Sequence, residues 1–154
     1  MSQQPHHLGC AAAGDVTNPN ETKYTLEYYL NMADAIVEHG CHSIGIKDMA
    51  GLLKPKAATL LIGALRAAHP DVVLHVHTHD SAGTAVATQL AAAAAGADMV
   101  DLAMDAMSGC TSQVRLRLLL LLRFRIYCPW RDLKRPPPPH HHLLPHAWKI
   151  AGLP

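Results

Sequence analysis

Aromatic residues make up only 5% of the 154 residues, with a single phenylalanine, and charged residues only 16%. Cysteine is just as sparse. The four present (Cys10, Cys41, Cys110, Cys128) form no CxxC pair and show no framework spacing, which excludes a disulfide-stapled domain or a zinc ribbon and fits free thiols. The start, Met1–Gly14, has neither an apolar core nor an arginine, so no secretory signal or mitochondrial presequence is visible in it. The longest apolar stretch, Leu116–Leu122, is interrupted by Arg117 and closed by Arg123, too short to cross a bilayer.

The near-neutral net charge of +1 conceals a division. Residues 1–113 carry five Lys/Arg against eleven Asp/Glu, a net of −6, whereas residues 114–154 carry eight against Asp132 alone, a net of +7. Seven of the eleven prolines and the run His140–His142 also lie beyond Gln113. The chain therefore reads as a disordered N-terminus (1–13), one folded domain (14–113) and an unrelated basic, Pro/His-rich, irregular or disordered tail (114–154). The basic segment Arg117–Arg135 has no recognisable nucleic-acid module, so no nucleic-acid or membrane partner is expected from it. The histidine run reads as disordered rather than as a metal site.

Within the domain, Leu26, Tyr29, Leu30, Ala33, Ile36 and Val37 recur at helical spacing, and Gly40 stands where a helix stops. A short apolar strand, Ser43–Ile46, ends at Lys47-Asp48. The plan then repeats. Pro55 opens a helix to about His69, Val72–His77 forms a second strand, Thr84–Ala95 a third helix, and Met99–Ala103 a third strand. Ile44 to Val73 is 29 residues and Val73 to Val100 is 27, the repeat of βα units on a parallel sheet of strands apolar throughout. Polar residues gather where each strand ends, at Lys47-Asp48, His77–Asp80 and Asp105–Ser108. That placement favours a barrel, whose chemistry lies at the C-terminal strand ends, over a doubly wound sheet. The expected fold is α/β, a partial TIM (β/α)8 barrel of about three consecutive βα units.

Two features carry chemistry. His77 and His79, two residues apart on a strand, share one face and can reach one ion; the alternative is a pair of solvated side chains at a strand terminus. His75 lies further back on the same face and reads as barrel interior rather than as a ligand. Lys47 closes an apolar strand, where a lysine is costly unless paired. It is either ion-paired with Asp48 or another carboxylate, or it is an amine that takes up CO2 and offers the carbamate oxygen to a metal. Of the acidic residues Asp98, Asp101 and Asp105, Asp101 is the one expected to face the interior.

Five segments carry a resemblance: Gly14-Asp15-Val16, Lys23–Tyr29, Ile46-Lys47-Asp48-Met49-Ala50-Gly51-Leu52-Leu53-Lys54-Pro55, Leu74–Asp80 and Met107–Gln113. In order and spacing they resemble the carboxyltransferase domain of the pyruvate carboxylase family, over about two-thirds of the chain. The resemblance implies that Lys47 is a carboxylated lysine and, with His77 and His79, a ligand of a divalent ion, manganese or zinc. It further implies that Met49 packs beneath the metal and that Asp80 orients a ligand histidine. The family moves CO2 from carboxybiotin to pyruvate, giving oxaloacetate for gluconeogenesis and anaplerosis, in the mitochondrial matrix or the cytoplasm. Its fourth ligand, an aspartate ending the first barrel strand, has no match here, nor do its biotin, ATP and most pyruvate sites. The expectation is a fragment or isoform of such a carboxylase that takes its function from the full enzyme and is inactive alone. A metal-dependent acyl-CoA lyase or Claisen-type enzyme of the same superfamily is the first alternative, and Lys47 speaks against it. A non-catalytic product associating with the full enzyme is the second.

Overall fold

The computed structural model describes residues 7–116. Four strands, β1 (His7–Ala11), β2 (Ser43–Asp48), β3 (Val73–Thr78) and β4 (Met99–Val100), lie side by side in chain order, every pair parallel. Three helices connect them: α1 (Leu26–Glu38), α2 (Pro55–Ala68) and α3 (Ala85–Ala95). Right-handed crossovers between strands in sequential order put every helix on one face. The packing agrees, because Tyr29, Ala33 and Ile36 of α1, Leu61, Ile62 and Leu65 of α2, and Ala92 of α3 share one core with Cys10, Ile44, Ile46, Leu74 and Val76 of the strands. A doubly wound sheet would carry helices on both faces. The arrangement is that of a barrel wall over three βα units.

The sequence patterns account for these elements. Thr25 caps α1, its hydroxyl accepting from the Tyr28 amide, and Pro55 occupies the first turn of α2, where a missing amide costs nothing. Gly96 closes α3 at φ +110°, a conformation that a Cβ would strain. Tyr29 is buried beneath the loop after β1, and its hydroxyl both donates to the Ala13 carbonyl and accepts from the Ala13 amide.

Several expectations need correction. Residues 7–11 are not disordered: they pair with β2 from His7↔Ser43 to Ala11↔Lys47, since Cys10 supplies one more apolar contact to the helix-side core. The strands are not apolar throughout. In β3, Leu74, Val76 and Thr78 are buried under the helices, while the alternate residues Val73, His75 and His77 are only half-buried. The strand expected over Met99–Ala103 is interrupted at Asp101, where β4 leaves β3 and β5 (Leu102–Ala103) pairs with β6 (Val114–Arg115). Val114 is fully buried in that pairing, so ordered structure continues past the boundary expected at Gln113. The remainder of the expected tail, with Arg117–Arg135 and His140–His142, lies outside the described residues. Among those described, no helix is long and apolar enough to cross a membrane.

One tether fixes the long loop between β1 and α1. Asp15 Oδ2 accepts from Lys54 Nζ at 2.7 Å and Oδ1 accepts from the Thr17 amide and hydroxyl, so the carboxyl is lowered from 3.8 to about 2, the Lys54 bond contributing most. A group with a depressed folded-state value stabilises above its unfolded value and loses that contribution as pH falls through the folded one. Melting temperature is expected to fall between pH 4 and pH 2 less steeply in Asp15→Asn than in the unaltered chain, read by circular dichroism across that window.

Candidate metal centre

The face of the sheet turned away from the helices carries the chemistry. In a parallel ladder, residues in register project to the same side. Ala11, Lys47 and His77 are in register across β1, β2 and β3, and Gly9, Gly45 and His75 form the next row. The two glycines leave space beside the longer side chains. A cavity of about 350 Å³ opens there, lined by Gly9, Gly45, Ile46, Lys47, His75, His77 and Asp101. The structure thus brings Lys47 and His77 to one pocket.

An ion pair between Lys47 and Asp48 does not form, because alternation sends their side chains to opposite faces. Lys47 is exposed on the inner side. Asp48 is 1% exposed and is engaged by backbone: Oδ1 accepts from the amides of Ala50, Gly51 and Leu52, and Oδ2 from that of Leu53.

The two histidines meet at the end of β3, His77 Nε2 standing 3.0 Å from His79 Nε2. The other nitrogen of each ring is anchored. His77 Nδ1 lies 2.6 Å from Asp101 Oδ2, and His79 Nδ1 lies 2.6 Å from the Thr111 carbonyl oxygen. A carboxylate and a carbonyl only accept, so both Nδ1 atoms donate and both Nε2 atoms present lone pairs. Two lone pairs 3.0 Å apart require a proton or a cation between them. Metal–imidazole bonds of about 2.0–2.1 Å hold two nitrogens about 2.9 Å apart at a right angle and about 3.4 Å apart at the tetrahedral angle, so the 3.0 Å separation suits one shared divalent ion as it suits a shared proton. Among the described residues no three His, Cys, Asp or Glu side chains converge on a metal position; Lys47 lines the same cavity as His77.

Asp80 and Met49 stand elsewhere than expected. The orienting contact assigned to Asp80 is made instead by Asp101 and the Thr111 carbonyl. Asp80 Oδ1 accepts from the Ala85 amide at 3.1 Å, because Thr84 supplies no side-chain cap to α3 and a carboxylate is favoured at a helix N-terminus. Met49 does not line the cavity: it is 53% exposed in the loop beyond β2, its carbonyl accepting from Ser81 Oγ.

Asp101 is the residue that sequence reasoning undervalued. Its Oδ1 also accepts from His75 Nε2 at 2.8 Å, so one carboxylate spans two imidazoles. The hydrogen bond from His75 is the chief reason that its carboxyl lies below the ordinary carboxylate range; burial opposes the shift, and the bond from His77 adds to it. Gln89, fully buried on α3, donates to Thr78 Oγ1 and to the Asp101 carbonyl, fixing the backbone at the strand interruption. Gln113 brings its amide nitrogen within 3.4 Å of His77 Nε2.

Comparison with known proteins gives a consistent picture. Residues 11–120 match the HMGL-like family. The chain is 62% identical over 101 residues to pyruvate carboxylase of Schizosaccharomyces pombe and 57% identical over 100 residues to mitochondrial pyruvate carboxylase of Homo sapiens, covering 66% and 65% of this chain. It spans about 8% of the length of those relatives. Among solved structures it resembles the carboxyl transferase domain of Rhizobium etli pyruvate carboxylase with pyruvate, at a TM-score of 0.75 and 47% identity over 78% of this chain and 20% of that one. The same domain with pyruvate and biocytin gives 0.72 and 49% over 75% of this chain and 19% of that one. A parallel sheet with helices on one face, matched at this identity over most of its length, makes the chain a member of the HMGL-like family that resembles the carboxyltransferase domain of pyruvate carboxylase.

Proposed function

We propose that residues 14–113 are the metal-bearing part of a carboxyltransferase that moves CO2 from carboxybiotin to pyruvate, giving oxaloacetate. The observation that carries this reading is the facing pair of imidazole nitrogens of His77 and His79, with His77 in register beside Lys47. His77 and His79 would hold manganese or zinc, both of which accept nitrogen with hard oxygen donors. The Lys47 amine would attack CO2 and lose a proton, becoming a carbamate whose oxygen is the third donor. Lewis-acid polarisation of a substrate oxygen is the chemistry that a divalent ion supplies at such a site. Asp101 keeps His77 in the required tautomer, and the Thr111 carbonyl does the same for His79.

Biotin and ATP belong to the full enzymes of the family, and no site for either is assigned to this chain. The isolated polypeptide is proposed not to turn over, and to act as a fragment or isoform that associates with full-length carboxylase subunits where those reside, in mitochondria or cytoplasm. Co-elution with intact carboxylase on size exclusion supports that association; separate elution refutes it. Oxaloacetate formed stoichiometrically by the chain alone would show it to be an enzyme in its own right.

Lys47 gives the direct test of the chemistry. With 13C-bicarbonate and zinc, the chain should show a carbamate carbon resonance that vanishes in Lys47→Arg, whose guanidinium keeps the charge but takes up no CO2. Zinc affinity should fall about tenfold or more in that variant, as for loss of a ligand contact. An unchanged resonance and unchanged affinity would remove Lys47 from the site.

A further inference from the structure

The loop that follows Lys47 is built around the buried side chain of Asp48, which forms no ion pair among the described residues. Asp48 accepts four backbone amides, at 2.9–3.3 Å, from Ala50 to Leu53. Burying a carboxylate is costly, and only such a full set of donors offsets it. The effect is to fold residues 49–53 into one shape. That shape is docked on the loop that carries His79. The His79 amide donates to the Asp48 carbonyl at 2.8 Å, and Ser81 Oγ donates to the Met49 carbonyl at 3.2 Å. Gly51, at φ +75°, lies so close to Ala82 that an added Cβ would stand 2.5 Å from the Ala82 Cβ. At its far end the same loop is held by Thr88 Oγ1, which donates to the Leu53 carbonyl at 2.7 Å.

Lys47 is placed by its strand, but His79 is not. Lys47 stands at the last full row of β2, and His79 stands one residue beyond β3, where ladder pairing has ended. We infer that Asp48 is a positioning residue: by holding the 49–53 loop as a platform for residues 79–82, it fixes His79 against both the His77 ring and the Thr111 carbonyl. It touches no ligand position itself. The inference rests on the reading above only for the identity of what His79 binds.

The test uses the full chain with Asp48→Asn, which keeps one acceptor oxygen but turns an NH2 group toward the donors. Long-range 1H–15N correlation on the metal-free protein reports the His79 tautomer, and competition with a chromophoric chelator reports zinc affinity. In the unaltered chain His79 should be wholly the Nδ1–H tautomer. The Asn variant should show a tautomer mixture with about a tenfold or greater loss of zinc affinity, with far-ultraviolet circular dichroism preserved. Should Asp48→Asn not fold, Gly51→Ala carries the decision, since it parts the same two loops from the other side. A His79 tautomer unchanged in the folded variant would overturn the inference and leave Asp48 a loop staple. If the unaltered chain takes up no zinc, the metal reading fails, yet the tautomer readout still decides on Asp48.

Discussion

Replacing His77 with alanine should abolish stoichiometric zinc uptake by the full chain, and replacing Asp101 with asparagine should weaken it about ten- to a hundred-fold. The two effects have different origins. His77→Ala deletes one of the two nitrogens that stand 3.0 Å apart and would leave only His79 and the proposed Lys47 carbamate to hold an ion. Asp101→Asn deletes no ligand. It replaces an acceptor of two imidazole N–H groups with an amide that offers only one acceptor oxygen. The amide NH2 then faces a ring nitrogen and favours the other tautomer, which would put the His77 proton on Nε2, the atom that must be bare. Zinc titration by calorimetry reads both variants, and manganese titration followed by paramagnetic resonance gives an independent check. If Asp101→Asn binds as tightly as the unaltered chain, the Asp101–His77 contact is incidental and the tautomer argument is wrong.

That network marks the limit of what was legible in the residue order. The helices were readable because apolar periodicity marked the first, Gly40 stood at its end and Pro55 opened the second. The three histidines were readable as residents of one face because a strand alternates. Asp101 was expected on that inner face, but its contacts with His75 and His77 were not read. Asp101 lies within an apparently continuous apolar run, Met99–Ala103, and nothing local announces that the strand breaks there. Yet Val76 pairs with Val100, so parity alone would have set Asp101 beside His77. Asp80 looked the better orienting carboxylate because it adjoins His79, but the chain has by then left the sheet and the side chain is taken by the first turn of α3. Likewise β1 has only five residues, and Cys10, buried within it, gave no periodic signal. Sequence patterns exposed what each segment does alone. The docking of loops 49–53, 79–83 and 109–113 on one another is a property of tertiary contacts.

At the opposite end of the strands, Arg66→Ala should cost about 2–4 kcal/mol of stability while leaving zinc affinity unchanged in the folded population. The Arg66 guanidinium is the common donor to three segments. Its Nη1 donates to the carbonyls of Pro70 and Val72, its Nε and Nη2 donate to the Gly96 carbonyl, and Nη2 is ion-paired with Asp98. Asp98 in turn accepts from the Leu74 amide at 2.8 Å, so the end of α2, the start of β3 and the turn after α3 are clasped by one side chain. With its side chain 25% exposed, water can reach part of the vacated site, which keeps the cost well below that of a fully buried charge left alone. Arg66→Lys should recover less than half of the loss, because an ammonium is a point donor and lacks the planar fork that reaches Val72, Gly96 and Asp98 together. Urea unfolding followed by circular dichroism measures both variants. A change under about 0.5 kcal/mol for the alanine variant would mean that the three segments hold together through the apolar core of α2 and α3, with Arg66 as a bystander.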